Sequence, residues 1–150
     1  ALQQLTNDSA IQISDEIKVT PFLVPHRDEY SETVGYRIES KNKKILFIPD
    51  INKWNVWEKS IVDEVKKVDI AFLDATFYKD GEIKRKMSEV PHPFIEESMN
   101  LFENLSPEEK AKIHFIHFNH TNPVFRDTPE QKEVVGKGFH IANEGLVIDL

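Results

Sequence analysis

The residues in this sequence best suited to chemistry are its six histidines and two aspartates that follow apolar runs. His26 stands in VPHRDEYSE, Asp50 after LFIP, Asp74 in AFLDATF and His117 in IHFIHF. There is no cysteine, which excludes both thiolate metal sites and disulfides. Imidazole nitrogens with one or two carboxylate oxygens suit Zn²⁺, or Fe or Mn, with a coordination position left open for water. Such an ion lowers the pKa of the water it holds toward neutrality and so prepares a nucleophile for hydrolysis. Each residue also has an ordinary structural alternative. His26 could bond Asp28 or Glu29 within its own loop, and Asp50 could cap the helix that follows it.

His114, His117 and His120 recur at a spacing that would align them on a helix. The run IHFIHF is strand-like, however, and along a strand His114 and His117 point to opposite faces. The triplet is therefore not one metal site. His117 is the ligand candidate, His114 a core or outer-face residue, and His120 a loop residue that supports the ligands or contacts substrate. His92 precedes Pro93 at a helix start, where partial positive charge favours a neutral ring able to donate to an anion. A plain capping role is its alternative. His140 reads as structural, Trp57 as core, and Trp54 as lining the rim beside the site.

These side chains need a scaffold that brings them together. Positions 1–16 are a weakly patterned lead-in with a short strand near 10–13. Strands are expected over 17–24, 33–39 and 44–48, the last two joined as a hairpin through Lys41-Asn42-Lys43. Trp57, Ile61, Val65 and Val68 recur at helical steps, which predicts one amphipathic helix over 54–68. A buried strand over 69–77 and a charged loop to 88 follow. Pro93 suits the first position of a helix lined by Phe94, Ser98, Leu101 and Leu105. Ser106-Pro107-Glu108-Glu109 is a capping box that starts another. A strand over 113–118 and a helix from Pro129 to Gly136 or Gly138 come next. Two short strands, 139–142 and 146–150, close the chain. Strands joined through helices run parallel, so their carboxyl ends share one sheet edge. Asp50, Asp74 and His117 stand at three such ends, and His26 at the end of the first strong strand.

The 150 residues read as a single domain without repeats or linkers. With 39% hydrophobic residues, 30% charged residues and ten Phe, the composition excludes a disordered tail. No run approaches the ~20 apolar residues of a membrane span. The net charge of −7 opposes binding to a polyanion, so no nucleic acid partner is expected. The chain opens ALQQL, without Met or a signal-peptide pattern, which is consistent with a truncated product.

Taken in order, VPHRDEYSETVGYRIE, KKILFIPDINKW, VDIAFLDATFY, VPHPFIEES and KIHFIHFNHTNP resemble the second half of a metallo-β-lactamase-fold hydrolase. The I-H-x-N-x-T-N-P loop, the following helix and the GF-x-x-A hairpin are closest to the pyrroloquinoline-quinone biosynthesis protein B (PqqB) branch. The GYRI strand and the strand-ending Asp also resemble the tRNA 3′-processing nucleases of the superfamily. The resemblance, covering about residues 17–150, implies an α/β fold. The chain would be the C-terminal half of an αββα metallo-β-lactamase sandwich, a mixed sheet with helices on one face. It implies His26, Asp50 and His117 as ligands of a one- or two-metal centre, with Asp50 bridging. His92 resembles the catalytic histidine that, in the nuclease branch, helps handle the scissile phosphate. Asn119 and His120 would support the ligands or contact substrate, a role that Asp74 and Trp54 share by position.

The implied parent activity is metal-dependent hydrolysis of a small molecule, with metal-bound hydroxide as nucleophile. The family's first metal motif, H-x-H-x-D-H, does not occur in these residues. At most one ion is then expected on this chain, or none. The alternative function is a catalytically incompetent half-domain that self-associates or binds a partner fragment. Half a sandwich leaves an apolar sheet face exposed, which predicts a homo-oligomer or association with an N-terminal half. A third reading, without the resemblance, is an α/β binding module for an anionic ligand near His92. The PqqB branch suggests a cytoplasmic location.

Overall fold

Alternating apolar runs and short turns build one seven-stranded mixed sheet whose strands lie side by side in sequence order. The computed structural model describes residues 4–150, so positions 1–3 of the lead-in lie outside the described residues. The strands are β1 (Ile11–Gln12), β2 (Lys18–Leu23), β3 (Val34–Glu39), β4 (Lys44–Ile48), β5 (Ile70–Asp74), β6 (Ile113–Ile116) and β7 (His140–Ile141). Four helices, α1 (Ile61–Lys66), α2 (Ile95–Leu101), α3 (Pro107–Lys110) and α4 (Pro129–Gly136), connect or follow the later strands. Pairing is antiparallel from β1 to β4 and parallel from β4 to β7. The β3–β4 hairpin closes as expected, with Ser40 Oγ accepting from the backbone N–H groups of Asn42 and Lys43. Because β2 and β4 both run opposite to β3, the carboxyl ends of β2, β4, β5 and β6 share one edge.

The two sheet faces differ. On one, Phe22, Leu46, Ile48, Leu73, Ile113 and Phe115 are wholly buried against Trp54, Ile61, Val65, Ile95, Phe102 and Val134 from the helical layer. Gly35 is part of that packing. A Cβ there would stand 2.5 and 2.6 Å from the Phe22 ring, so only a residue without one lets the ring lie across β3. On the other face Ile38, Ile45, Phe47, Phe72 and Ile116 line a shallow cavity of about 290 Å³ that Leu146 borders. No helix of the described residues packs on this face. The α/β architecture with helices on one face is thus the one expected. No helix among the described residues is long and apolar enough to cross a membrane.

Several boundaries differ from the sequence expectations. The single helix over 54–68 is instead a 3-10 turn at Trp54–Val56 followed by α1 from Ile61. Trp57 between them is extended, so its ring stacks on Phe22 with centroids 5.8 Å apart. Ser60 caps α1 by accepting from the Asp63 N–H. Trp57, Ile61, Val65 and Val68 are all buried, so the periodicity reported burial rather than one continuous helix. Strand β5 ends at Asp74 rather than at Phe77, because the Asp74 carboxylate takes the Thr76 N–H and turns the chain. Pro93 stands two residues before α2, ahead of the Phe94 cap, and the first turn is closed by Glu97 accepting from the Phe94 N–H. Leu101 is exposed, and residues 146–150 form no strand.

Candidate metal centre

Four side chains converge where β4, β5 and β6 end. Asp50, Asp74, His92 and His117 each place one donor atom so that all four atoms lie within 4.8 Å of one another. Asp50 follows β4 through Pro49, and Asp74 closes β5. His92 comes from the segment before α2, and His117 from the first residue after β6. The His92 Nδ1 stands 2.8 Å from Asp74 Oδ2 and 3.3 Å from Asp50 Oδ1. His117 Nδ1 is 3.7 Å from Asp74 Oδ1. His26 lies beside this group, its Nε2 3.4 Å from Asp50 Oδ1 and its Nδ1 3.1 Å from Asn52 Oδ1.

Asp74 is fully buried and held from several sides. Its Oδ2 accepts the Ile51 N–H at 3.1 Å. Its Oδ1 accepts the Thr76 N–H at 2.9 Å and the Thr76 hydroxyl at 2.7 Å. Burial pushes the Asp74 pKa up, but His117, His92 and Thr76 outweigh that influence and hold it below the ordinary carboxylate value. Reciprocally, the Asp74 contact raises the His117 pKa against the opposing effect of burial. Thr76 Oγ1 also stands 3.0 Å from His117 Nδ1 and 3.3 Å from His92 Nδ1, which makes it the hub of the group.

His117 adopts a left-handed backbone with φ of +62°, a conformation that favours glycine and costs roughly 1–3 kcal/mol for other residues. The surrounding chain imposes it. Ala75 N–H bonds Ile116 O, Asn119 N–H bonds Thr76 O at 2.9 Å, and buried Asn122 donates to Ala75 O at 2.9 Å. The 117–122 loop is thereby laced onto the turn that carries Asp74 and Thr76.

The donor set fits a divalent ion. Two imidazole nitrogens and two carboxylate oxygens without thiolates match the preferences of Zn²⁺ and of Fe or Mn. Asp50 Oδ1 adds an observation of its own: it is buried and has no hydrogen-bond partner. The His26 and His92 ring nitrogens stand near it, at 3.4 and 3.3 Å, and a cation among these groups would meet its charge.

The family model described as the beta-lactamase superfamily domain matches residues 1–115. The chain belongs to that superfamily. Within it, this superfamily chain is PqqB-like. It is 30% identical over 126 residues to coenzyme PQQ synthesis protein B from Gluconobacter oxydans, an alignment covering 79% of this chain and 40% of that protein. The corresponding protein of Rhizobium meliloti is 24% identical over 131 residues, covering 81% and 41%. A solved structure of Zn²⁺-bound PqqB from Methylobacterium extorquens superposes with a TM-score of 0.77 at 25% identity, covering 99% of this chain and 52% of that one. The metallo-β-lactamase-fold protein YhfI from Bacillus subtilis shares the fold, with a TM-score of 0.62 at 14% identity over 93% of this chain and 50% of that one. The chain therefore spans about half the length of the proteins it matches.

The superfamily chain thus brings Asp50, Asp74, His92 and His117 into one group, with His26 alongside. Asp74, expected from its position to support the ligands or contact substrate, stands inside the group, and His92 stands there with it. Asn119 donates through Nδ2 to Thr121 Oγ1 at 2.7 Å, and His120 is exposed; neither joins the group. Trp54 is not at the rim of this group. It is buried in the helical layer, where its Nε1 donates to Ser98 Oγ at 2.9 Å. His114 and His140 stack on the open sheet face with centroids 4.7 Å apart, away from the centre. Sequence reasoning missed Thr76 and Asn52. The Asp-x-Thr spacing of an Asx-type turn was the available signal for Thr76; Asn52 left none.

Proposed function

We propose that this chain supplies one part of a PqqB-like, metal-dependent hydrolase acting on a small molecule. Asp50, Asp74, His92 and His117 would hold a divalent ion, zinc first and iron or manganese otherwise, with His26 as an additional donor beside Asp50. The reading rests above all on the convergence of four donor atoms within 4.8 Å of one another, among them an Asp50 Oδ1 that makes no hydrogen bond. Similarity to a PqqB whose solved structure is Zn²⁺-bound supports the choice of metal. A bound ion would supply Lewis acidity and lower the pKa of water it holds.

The chain's own residues do the rest. Asp74, locked by three donors, keeps its negative charge and fixes the positions of His92 and His117. Thr76 orients both imidazoles through Nδ1. His117, with its side chain 45% exposed, faces the solvent side from which substrate and water arrive. His92, with Nδ1 2.8 Å from Asp74 and 3.3 Å from Asp50, completes the ligand group with both carboxylates. The H-x-H-x-D-H motif of the superfamily is not among these residues. Further donors would come from other parts of the longer proteins this chain resembles.

The apolar face bearing Phe47 and Phe72 favours a second reading for the chain taken alone, that of a half-domain whose role is association. A panel of small ester, lactone and lactam substrates, tested on the zinc-supplied protein and on Asp50→Asn, separates the two. Turnover abolished in Asp50→Asn supports the hydrolase. Associated, metal-supplied protein without turnover on any substrate supports the scaffold reading.

A further inference from the structure

We propose that Arg27 and Arg85 form an anion subsite beside the metal centre and take an oxyanion group, carboxylate or phosphate, of a small and partly apolar substrate. The inference rests on the metallo-hydrolase reading for what the subsite serves, and on the chain's own residues for its existence. A cavity of about 210 Å³ opens next to the centre, sharing His26, His92 and Thr76 with it. Arg27 and Arg85 enter that cavity from two separate segments, and Phe77, Ile83, Val90 and Pro91 supply apolar walls. A basic and apolar pocket against imidazoles suits an organic anion rather than a bare ion.

The charge pattern sharpens the point. The chain carries 26 acidic residues against 19 basic ones, and Arg37 is taken up by Glu64 and Asp8. Neither Arg27 nor Arg85 has a carboxylate at ion-pair distance among the described residues. Three of their acidic neighbours have other contacts. Asp28 accepts the Thr33 N–H, Asp80 accepts the Gly81 N–H, and Glu89 pairs with Lys86. The Arg85 segment is also positioned rather than loose. Glu82 accepts the Tyr78 N–H and the Thr121 hydroxyl, both at 2.6 Å, and Met87 and Val90 are buried beneath the segment with Phe77 and Phe94. Two guanidinium forks that line one small cavity match the planar or tetrahedral oxygens of carboxylate and phosphate.

The test titrates benzoate and phenyl phosphate into the zinc-supplied, intact protein by NMR, alongside Arg27→Gln and Arg85→Gln, with zinc content measured on the same samples. Both arginines are exposed, so the variants fold as the parent does. The expected result is binding of at least one probe, weakened about tenfold or more in each variant at unchanged zinc content. Preference for benzoate assigns the subsite to carboxylates, and preference for phenyl phosphate assigns it to phosphate esters. If the protein holds no zinc, the metal reading fails and the same titration on the metal-free protein still decides this inference. Binding of neither probe, or equal binding in parent and variants, overturns it.

Discussion

Replacing Thr76 by Val removes one hydroxyl and keeps the shape of the side chain. The lost group donates to Asp74 Oδ1 at 2.7 Å and stands 3.0 and 3.3 Å from His117 and His92. Asp74 is wholly buried, and the Thr76 N–H at 2.9 Å still serves the same oxygen. A hydrogen bond to a charged group contributes about 1.5–3 kcal/mol. For a domain of this size that corresponds to a fall in Tm of roughly 3–12 °C for the metal-free protein. Residues that orient metal ligands typically change metal affinity by about 10–100-fold. Calorimetry of the metal-free protein and zinc competition against a chelator read the two effects separately. Thr76→Ser keeps the hydroxyl and should retain affinity near the parent's. If Thr76→Val melts and binds zinc like the parent, Thr76 is not the hub described above, and the geometric argument for the centre fails with it.

Three further outcomes follow from the same structure. Glu64 is buried on the helical layer, and although burial pushes its pKa up, Lys67 and Arg37 outweigh that and hold it below the usual value of 4.5. A depressed carboxyl contributes stability above its unfolded pKa and loses it as pH falls, so the stability gap between parent and Glu64→Gln should narrow below about pH 4.5. Denaturant melts from pH 7 to pH 3 check this, and a gap that widens on acidification contradicts it. Trp54→Phe removes the Nε1 bond to Ser98 at a cost of about 1 kcal/mol and should leave bound zinc unchanged, which separates this tryptophan from the centre. On the open face, Phe47→Glu combined with Phe72→Glu should shift sedimentation toward monomer while far-UV circular dichroism stays constant. Unchanged sedimentation of an associated parent would mean that association uses another surface.

Much of the scaffold was legible because it follows from short-range chemistry. The hairpin at Lys41–Lys43 and the Ser106 capping box formed where turn and cap residues stand. The strand–helix alternation placed Asp50, Asp74 and His117 at one sheet edge, since crossovers force parallel strands. What escaped depended on contacts distant in sequence. The break before Ser60 follows from Trp57 turning onto Phe22, a partner 35 positions away. Trp54 was drawn away from the rim by Ser98, across 44 positions. The membership of His92 in the group needs the loop before α2 to fold back over β5, and no local pattern encodes that return. The strained backbone of His117 was invisible for the same reason, being imposed by Asn119 and Asn122 on Ala75 and Thr76.

Elemental metal analysis of the purified protein, with His117→Ala and Asp50→Asn measured alongside, bears most directly on the claim that these residues form a metal centre. Near-stoichiometric zinc, iron or manganese in the parent, sharply reduced in both variants while each remains folded, is the predicted result. A folded parent without metal, or variants that retain the parent's full metal content, would contradict it.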